Sequence, residues 1–258
     1  MGDGARRTVI VPGGGSGIGA ATAHRFAADG ATVFCVDVDG AAAASVATVI
    51  CKAGGRAHAI ECDVTDETAI AGMATQVMSA TGRIDTVAAN AGGMVEGGIL
   101  ELSLDDWKRS LDVNATGAFL TARATLPHLV ETKGALVFTA STVALAGMKG
   151  VTAYSAAKGA IAALTRQLAA DFAAQSVRVN AVAPGAVRTP LSEAQFRARS
   201  TDDAEFESLL SNVIQRYPLS RWGRAEEIAE AIHFLGTDRA SWITGQVLPI
   251  EGGLLQTR

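Results

Sequence analysis

A tyrosine, a lysine and a serine in the middle of the chain have the types and the spacing that proton transfer requires. Tyr154 and Lys158 are four residues apart on a predicted helix, so both side chains project from one face. Ser141 lies just past the carboxyl end of a predicted strand, which is where open α/β sheets bind their ligands. A Tyr/Lys pair alone is also common on helix surfaces, so the position of the serine is what favours a catalytic group.

The usefulness of this group depends on the pKa of the tyrosine. A free phenol titrates at about 10, which is too high for a base that works near neutral pH. An ammonium at about 5 Å, in an effective dielectric of about 20, favours the phenolate by roughly 3 kcal/mol, or about two pK units. We therefore expect Lys158 to lower the pKa of Tyr154.

A glycine-rich turn near the start of the chain predicts a binding site for a diphosphate. The first predicted strand is followed directly by Gly13-Gly14-Gly15-Ser16-Gly17-Ile18-Gly19, which opens the first predicted helix. Such glycines permit a tight turn and the close approach of a diphosphate, while the helix start offers free N–H groups. The position of the turn within a β-α repeat favours a dinucleotide site over a structural turn.

The residue that ends the second predicted strand bears on which dinucleotide binds. Asp37 can accept hydrogen bonds from both ribose hydroxyls of NAD, whereas its charge would repel the 2′-phosphate of NADP. The neighbouring turn residues and Val38 are uncharged, so no adjacent cation neutralises that phosphate. NAD is therefore the predicted cofactor, with a simple turn role for Asp37 as the alternative.

Short β-branched runs alternate with longer helical segments along the chain. Seven strands are predicted, at residues 8–11, 32–36, 57–61, 86–89, 135–139, 177–182 and 246–249. The predicted helices are 18–28, 41–53, 67–80, 104–129, 153–174 and 225–235, the fourth interrupted near Gly117. The alternation predicts a single α/β domain over residues 1–258, Rossmann-type and doubly wound, with a seven-stranded parallel sheet and helices on both faces.

Residues 184–224 interrupt this alternation and contain no predicted strand. The apolar residues that fall at helical spacing there are Phe206, Leu209, Leu210, Val213 and Tyr217. An insertion after the carboxyl end of a strand is well placed to cover a ligand crevice. The segment of approximately residues 186–222 is therefore predicted to form a helical substrate lid, with permanent packing on the core as the alternative.

Composition and charge exclude several classes of protein. The chain has 258 residues, 48% of them hydrophobic, which is enough for a sizeable core. Its net charge is -4 and its longest basic run is Arg6-Arg7, so no nucleic-acid partner is expected. No segment has the pattern of a membrane span or a secretory signal. Three cysteines without CxxC spacing and scattered histidines indicate no disulfide framework and no metal, and a cytoplasmic location is predicted.

With these features the chain resembles the short-chain dehydrogenase/reductase family over essentially its full length. The motifs that carry the resemblance are Gly13-x-x-x-Gly17-x-Gly19, Asn90-Ala91-Gly92, Asn114, Ser141, Tyr154-x-x-x-Lys158 and Pro184-Gly185. The resemblance implies nicotinamide-dependent oxidation of alcohols or reduction of ketones, carried out by a homotetramer or homodimer.

The resemblance also implies a role for each matched residue. Tyr154 would be the acid/base, and Lys158 would be its activator and a ribose ligand. Ser141 would donate to the substrate oxygen, and Asn114 would anchor a proton-relay water. The resemblance places Asp63 and Val64 at the adenine, Asn90 beside the adenosine ribose, and Val187 and Thr189 at the nicotinamide carboxamide. In all, cofactor contacts are implied for Gly13, Ser16, Gly17, Ile18, Gly19, Asp37, Asp63, Val64, Asn90, Ala91, Gly92, Tyr154, Lys158, Pro184, Gly185, Val187 and Thr189.

One residue departs from the pattern of the family. Threonine usually precedes the first glycine of the turn, whereas this chain has Pro12, which lacks a hydroxyl and an N–H donor. The departure puts in question how the turn is braced against Asn90-Ala91-Gly92.

The residues that flank the predicted site are mostly small or apolar, and they are Gly93, Met94, Val95, Val143, Ala144 and Met148. They predict a small, largely apolar secondary alcohol as the substrate of an NAD(H)-dependent enzyme. Lys149 and Arg188 are exceptions that would hold a carboxylate or a carrier phosphate, unless both are simply solvated. A 3-oxoacyl-(acyl-carrier-protein) reductase is therefore one alternative, and a nonenzymatic NAD-sensing scaffold is another.

Overall fold

Seven parallel strands form the central sheet of the computed structural model, which describes residues 7–256. In chain order the strands are β1 (Thr8–Pro12), β2 (Thr32–Asp37), β3 (Arg56–Glu61), β4 (Thr86–Ala89), β5 (Ala135–Thr139), β6 (Arg178–Pro184), the short β7 (Val187–Arg188) and β8 (Gly223–Arg224), and β9 (Val247–Ile250). The order in the sheet is β3-β2-β1-β4-β5-β6-β9, and β7 pairs with β8. The predicted Rossmann-type sheet is confirmed.

The α-helices of the described chain lie between these strands. They are α1 (Gly17–Ala28), α2 (Gly40–Lys52), α3 (Glu67–Thr81), α4 (Leu104–Leu111), α5 (Gly117–Thr132), α6 (Thr152–Phe172), α7 (Pro190–Ala198), α8 (Asp203–Ile214) and α9 (Ala225–Gly236). The interruption predicted near Gly117 is a π-helical turn, Asp112–Thr116, between α4 and α5. Such turns are frequent at functional sites, and this one contains Asn114.

Apolar layers on both faces of the sheet hold the helices in place. Val9 and Val11 of β1 join one layer and Ile10 joins the other, because successive strand residues point to opposite faces. Helices α1, α2 and α9 cover the first face, and α3, α5 and α6 cover the second. Because both faces are covered, the inner strands β1, β4 and β5 are buried throughout, and the carboxyl edge of the sheet is left for chemistry.

The insertion after β6 contains a strand pair that the sequence analysis did not predict. Val187 pairs with Gly223 and Arg188 with Arg224, which joins the two ends of the insertion. Strands of two residues are too short to show a periodic pattern, so this expectation was wrong. Between them α7 and α8 form, and Phe206 and Leu210 are buried. The role of residues 186–222 as a substrate lid stays a prediction.

The amino-terminal part of the fold is fixed to its carboxyl-terminal part. Arg7 donates to the carbonyl oxygen of Gly236 and pairs with Asp238, both at 3.0 Å. Its neighbour Arg6 in the basic pair lies outside the described residues. Within residues 7–256, none of the helices has the length and apolar character needed to cross a membrane.

Candidate active site

The glycine turn between β1 and α1 leaves no room for side chains. Gly13 has a φ of +73°, and a Cβ on it would lie 2.7 Å from the backbone of Ala91. A Cβ on Gly19 would lie 1.8 Å from the carbonyl oxygen of Gly13. Ser16, the N-cap of α1, makes no side-chain capping bond, so the first N–H groups of the helix remain able to bind an anion. These features fit the diphosphate of a dinucleotide.

Asn90 braces this turn despite the proline. Its backbone N–H donates to the carbonyl oxygen of Pro12 at 3.0 Å, and its side-chain amide donates to that of Gly13 at 3.2 Å. The hydroxyl of Thr139, at the end of β5, donates to Oδ1 of Asn90 at 3.1 Å. Because the brace uses a carbonyl group, which proline retains, Pro12 does not disturb it. The part played by Thr139 was missed in the sequence.

We expect Thr139→Val to weaken NADH binding about fivefold. Valine keeps the shape of threonine but removes the donor to Oδ1 of Asn90, which costs about 1 kcal/mol. Fluorescence titration with NADH measures the effect. Thr125→Val is the matched control, because its buried hydroxyl donates within α5 to the carbonyl oxygen of Thr121. Equal affinities in the two variants would contradict a role for Thr139.

The structure brings Ser141, Tyr154 and Lys158 together at the carboxyl end of β5. Ser141 hydrogen-bonds with the phenol of Tyr154. Nζ of Lys158 lies 5.6 Å from the centroid of the Tyr154 ring and donates to the carbonyl oxygen of Thr139 at 2.8 Å. The spacing of Tyr154 and Lys158 on α6 therefore places an ammonium beside a phenol that a serine also contacts.

Burial opposes charge on both titratable members of this cluster. Burial raises the pKa of Tyr154 to about 12, and the hydrogen bond with Ser141 acts in the opposite direction. Burial also lowers the pKa of Lys158 to about 8. The expected lowering of the tyrosine pKa by Lys158 is therefore wrong for the protein alone, because burial of the phenol is the largest influence on this pKa and raises it. At neutral pH the phenol keeps its proton and the lysine keeps its charge.

Asn114 is fully buried in the π-helical turn and holds the loop that follows β4. Its amide donates to the carbonyl oxygens of Gly93 at 2.8 Å and Ser110 at 2.9 Å, and its Oδ1 accepts the N–H of Gly93 at 3.2 Å. A Cβ on Gly92 would lie 2.5 Å from that Oδ1 and 3.2 Å from Nζ of Lys158. Asn114 therefore fixes the backbone beside Lys158, and its relay-water role stays a prediction.

Three carboxylates lie at the carboxyl ends of β2 and β3, one more acidic strand end than the sequence alone indicated. Asp37 accepts the N–H of Gly15 at 2.9 Å and that of Asp39 at 3.1 Å. Glu61 lies opposite Asp37 in the strand register. Glu61 was missed because only the register shows that it is a neighbour. A 2′-phosphate here would meet Asp37, Asp39 and Glu61.

Two predicted adenine-contacting residues follow β3. Asp63 is exposed, and one of its carboxylate oxygens accepts both the N–H and the hydroxyl of Thr65 at 2.8 Å. Val64 is buried next to Gly117, where an added Cβ would lie 2.7 Å from its side chain. Both residues lie at the carboxyl edge of the sheet, next to the strand that ends in Glu61.

The other predicted cofactor residues follow β6. Gly185 donates its N–H to the carbonyl oxygen of Ile250 at 3.0 Å, which fixes the turn after Pro184. Val187 is buried in β7. The side chain of Thr189 would lie 3.2 Å from a Cβ on Gly17, so the start of α7 is adjacent to the glycine turn. The residue predicted to contact the nicotinamide, Thr189, is therefore adjacent to the turn predicted to hold the diphosphate.

A glycine turn of this kind and a Ser-Tyr-Lys cluster at one edge of a parallel sheet define the class of dinucleotide-dependent oxidoreductases. A family model described as "Enoyl-(Acyl carrier protein) reductase" matches residues 13–255. The chain belongs to the short-chain dehydrogenase/reductase family.

Known relatives match nearly the whole chain. It is 38% identical over 247 residues to meso-2,3-butanediol dehydrogenase of Serratia marcescens, covering 96% of this chain and 94% of the relative. It is 33% identical over 251 residues to 3-oxoacyl-(acyl-carrier-protein) reductase of Thermotoga maritima, covering 96% and 98%. The crystal structure of levodione reductase matches with a TM-score of 0.92 at 31% identity, covering 98% and 99%. The protein is therefore an oxidoreductase that acts on CH–OH donors with a nicotinamide cofactor.

Proposed function

We propose that this protein is an NAD(H)-dependent oxidoreductase that interconverts a secondary alcohol and a ketone. The convergence of Ser141, Tyr154 and Lys158 beside the glycine turn carries the proposal. The names of two similar proteins, a butanediol dehydrogenase and a levodione reductase, support chemistry at an alcohol or ketone carbon.

In the direction of reduction, Tyr154 donates its proton to the ketone oxygen. Its pKa of about 12 keeps that proton in place at neutral pH. Ser141 donates a hydrogen bond to the same oxygen and orients the carbon. Lys158, anchored on the carbonyl oxygen of Thr139, stabilises the phenolate that remains. A nicotinamide, when bound, supplies or accepts the hydride.

The residues present fit NAD better than NADP. The glycine turn and the start of α1 would hold the diphosphate, and Asp37 would accept hydrogen bonds from the ribose. Asp39 and Glu61 add charge that disfavours a further phosphate there. Val187 and Thr189 would lie at the nicotinamide carboxamide.

Around the reacting carbon, these surroundings favour a small, largely apolar secondary alcohol. Val143 is buried and donates its N–H to Oγ of Ser141 at 3.3 Å, Met148 is exposed, and Gly93 has open space around it. The cytoplasmic location and the homotetramer or homodimer stay predictions.

A 3-oxoacyl-(acyl-carrier-protein) reductase is the second candidate. The similarity to the Thermotoga maritima enzyme over 96% of the chain favours it. The carboxylates of Asp37, Asp39 and Glu61 disfavour it, because such reductases generally prefer NADP. The nonenzymatic scaffold is overturned, because the similar proteins are named dehydrogenases and reductases and the chain belongs to their family.

A substrate screen at the nicotinamide absorbance band tests the proposal. We expect NADH oxidation with small ketones at neutral pH, NAD reduction with the matching secondary alcohols, and slower rates with NADPH and NADP. Activity confined to 3-oxoacyl thioesters with NADPH would contradict the proposal and support the second candidate.

A further inference from the structure

A cleft of about 630 Å³ lies between the loop that follows β5 and the segment that follows α8. Lys149 enters it from the first side and Arg216 from the second, and Met148 and Tyr217 lie beside them. Within the described chain, none of the lining residues is Asp or Glu. The cleft therefore combines two cations with no lining carboxylate.

Arg216 differs from the other arginines of the insertion in having no carboxylate partner within residues 7–256. The other arginines of residues 186–224 all form ion pairs, and these are Arg188 with Glu193, Arg197 with Asp203, Arg199 with Glu96, and both Arg221 and Arg224 with Glu227. Lys149 also makes no ion pair or side-chain hydrogen bond in the described part of the chain. Both charges are therefore available to a ligand.

Two segments that line the cleft are connected to the proposed reaction site. Lys149 lies in the same loop as Ser141, after β5. The hydroxyl of Tyr217 accepts the N–H of Ala186 at 2.9 Å, and its ring would lie 2.9 Å from a Cβ on Gly185. A wall of the cleft is thus fixed to the turn that follows β6.

One acid lies near this wall. Glu251 has its Cα 3.0 Å from where a Cβ on Gly185 would be, and its carboxylate accepts the N–H of Leu255 at 2.9 Å. It does not line the cleft. Glu251 therefore does not neutralise Lys149 and Arg216 inside the cleft.

We propose that Lys149 and Arg216 bind an anionic group, a carboxylate or a phosphate, at the end of the substrate remote from the reacting carbon. The inference rests on the proposed alcohol and ketone chemistry at Ser141 and Tyr154. A guanidinium and an ammonium donate charge-assisted hydrogen bonds to such a group. Arg216 takes the place that the sequence analysis gave to Arg188, because Glu193 holds Arg188 at 2.6 Å.

Matched ketones test the inference through turnover. The probes are 4-oxopentanoate, 5-oxohexanoate and 7-oxooctanoate, each compared with its methyl ester in NADH-dependent reduction. We expect kcat/KM for at least one acid to exceed that of its ester about tenfold. Arg216→Gln should remove this preference and Lys149→Gln should reduce it, whereas Arg188→Gln should retain it.

A second pair of probes separates a carboxylate from a carrier phosphate. Acetoacetyl thioesters of pantetheine and of 4′-phosphopantetheine differ only in the phosphate. A preference for the phosphate-bearing thioester that Arg216→Gln removes would support the inference with phosphate as the anion. No anionic preference in either series, or a preference that survives Lys149→Gln/Arg216→Gln, would overturn it.

A binding measurement distinguishes failure of this inference from failure of the proposed function. Calorimetry with protein saturated with NAD detects the acid and the ester without turnover, because the oxidised cofactor does not reduce a ketone. If the wild-type protein reduces no ketone but binds 5-oxohexanoate, and Arg216→Gln weakens that binding, the result would contradict the proposed function and support the anion site. Equal binding of 5-oxohexanoate and its methyl ester would overturn the anion site for carboxylates.

Discussion

Tyr154→Phe should lower kcat for ketone reduction about a thousandfold and leave the Kd for NADH nearly unchanged. The change removes one oxygen atom, the phenol oxygen that hydrogen-bonds with Ser141 and carries the proton to be transferred. Acid/base catalysis by a positioned side chain contributes about 10²- to 10⁴-fold. Steady-state rates with the best ketone of the screen, and fluorescence titration with NADH, measure the two effects.

Tyr217→Phe is the matched control, because the chain has only two tyrosines. The hydroxyl of Tyr217 accepts the N–H of Ala186 at 2.9 Å and takes no part in the Ser141 cluster. Its loss costs one neutral hydrogen bond, about 1 kcal/mol, so we expect at most about a fivefold loss of kcat/KM on a neutral ketone. Similar losses in the two variants, or normal turnover in Tyr154→Phe, would contradict the proposed proton transfer.

Local patterns predicted the sheet because its inner strands are buried on both faces. A strand such as β1 must then be continuously apolar, which a short β-branched run shows directly. The glycine turn was readable for a similar reason, since the 1.8 Å approach at Gly19 excludes every side chain. The pair β7 and β8 was not predictable, because two residues show no period.

The electrostatic details of the site were harder to predict than its position. Lys158 was expected to decide the pKa of Tyr154, but burial of the phenol itself decides it. Glu61 is distant from Asp37 in the chain and becomes its neighbour only through the register of β2 and β3. Arg188 and Arg216 look equivalent in the sequence, and only the placement of Glu193 separates them. Desolvation and pairing both depend on three-dimensional distances.

Asp37→Asn should reduce the preference for NADH over NADPH about a hundredfold. At a separation of roughly 6 Å and an effective dielectric of about 20, a carboxylate opposes one phosphate charge by about 3 kcal/mol. Asparagine removes this charge but keeps an oxygen for the N–H of Gly15, so the glycine turn should retain its shape while the exposed hydrogen bond from the N–H of Asp39 is lost. Fluorescence titrations of the wild-type protein and of Asp37→Asn with NADH and with NADPH give the ratio of the two Kd values for each protein.

Glu61→Gln separates the charge of the site from the ribose contact. Glu61 lies one strand away from Asp37, so its replacement should strengthen NADPH binding by less than Asp37→Asn and leave NADH binding nearly unchanged. The gains in NADPH affinity should add in the double variant, because each carboxylate repels the phosphate by its own charge. A double variant no better than Asp37→Asn would assign the repulsion to Asp37 alone. A wild-type protein that binds NADPH more tightly than NADH would contradict the choice of NAD itself.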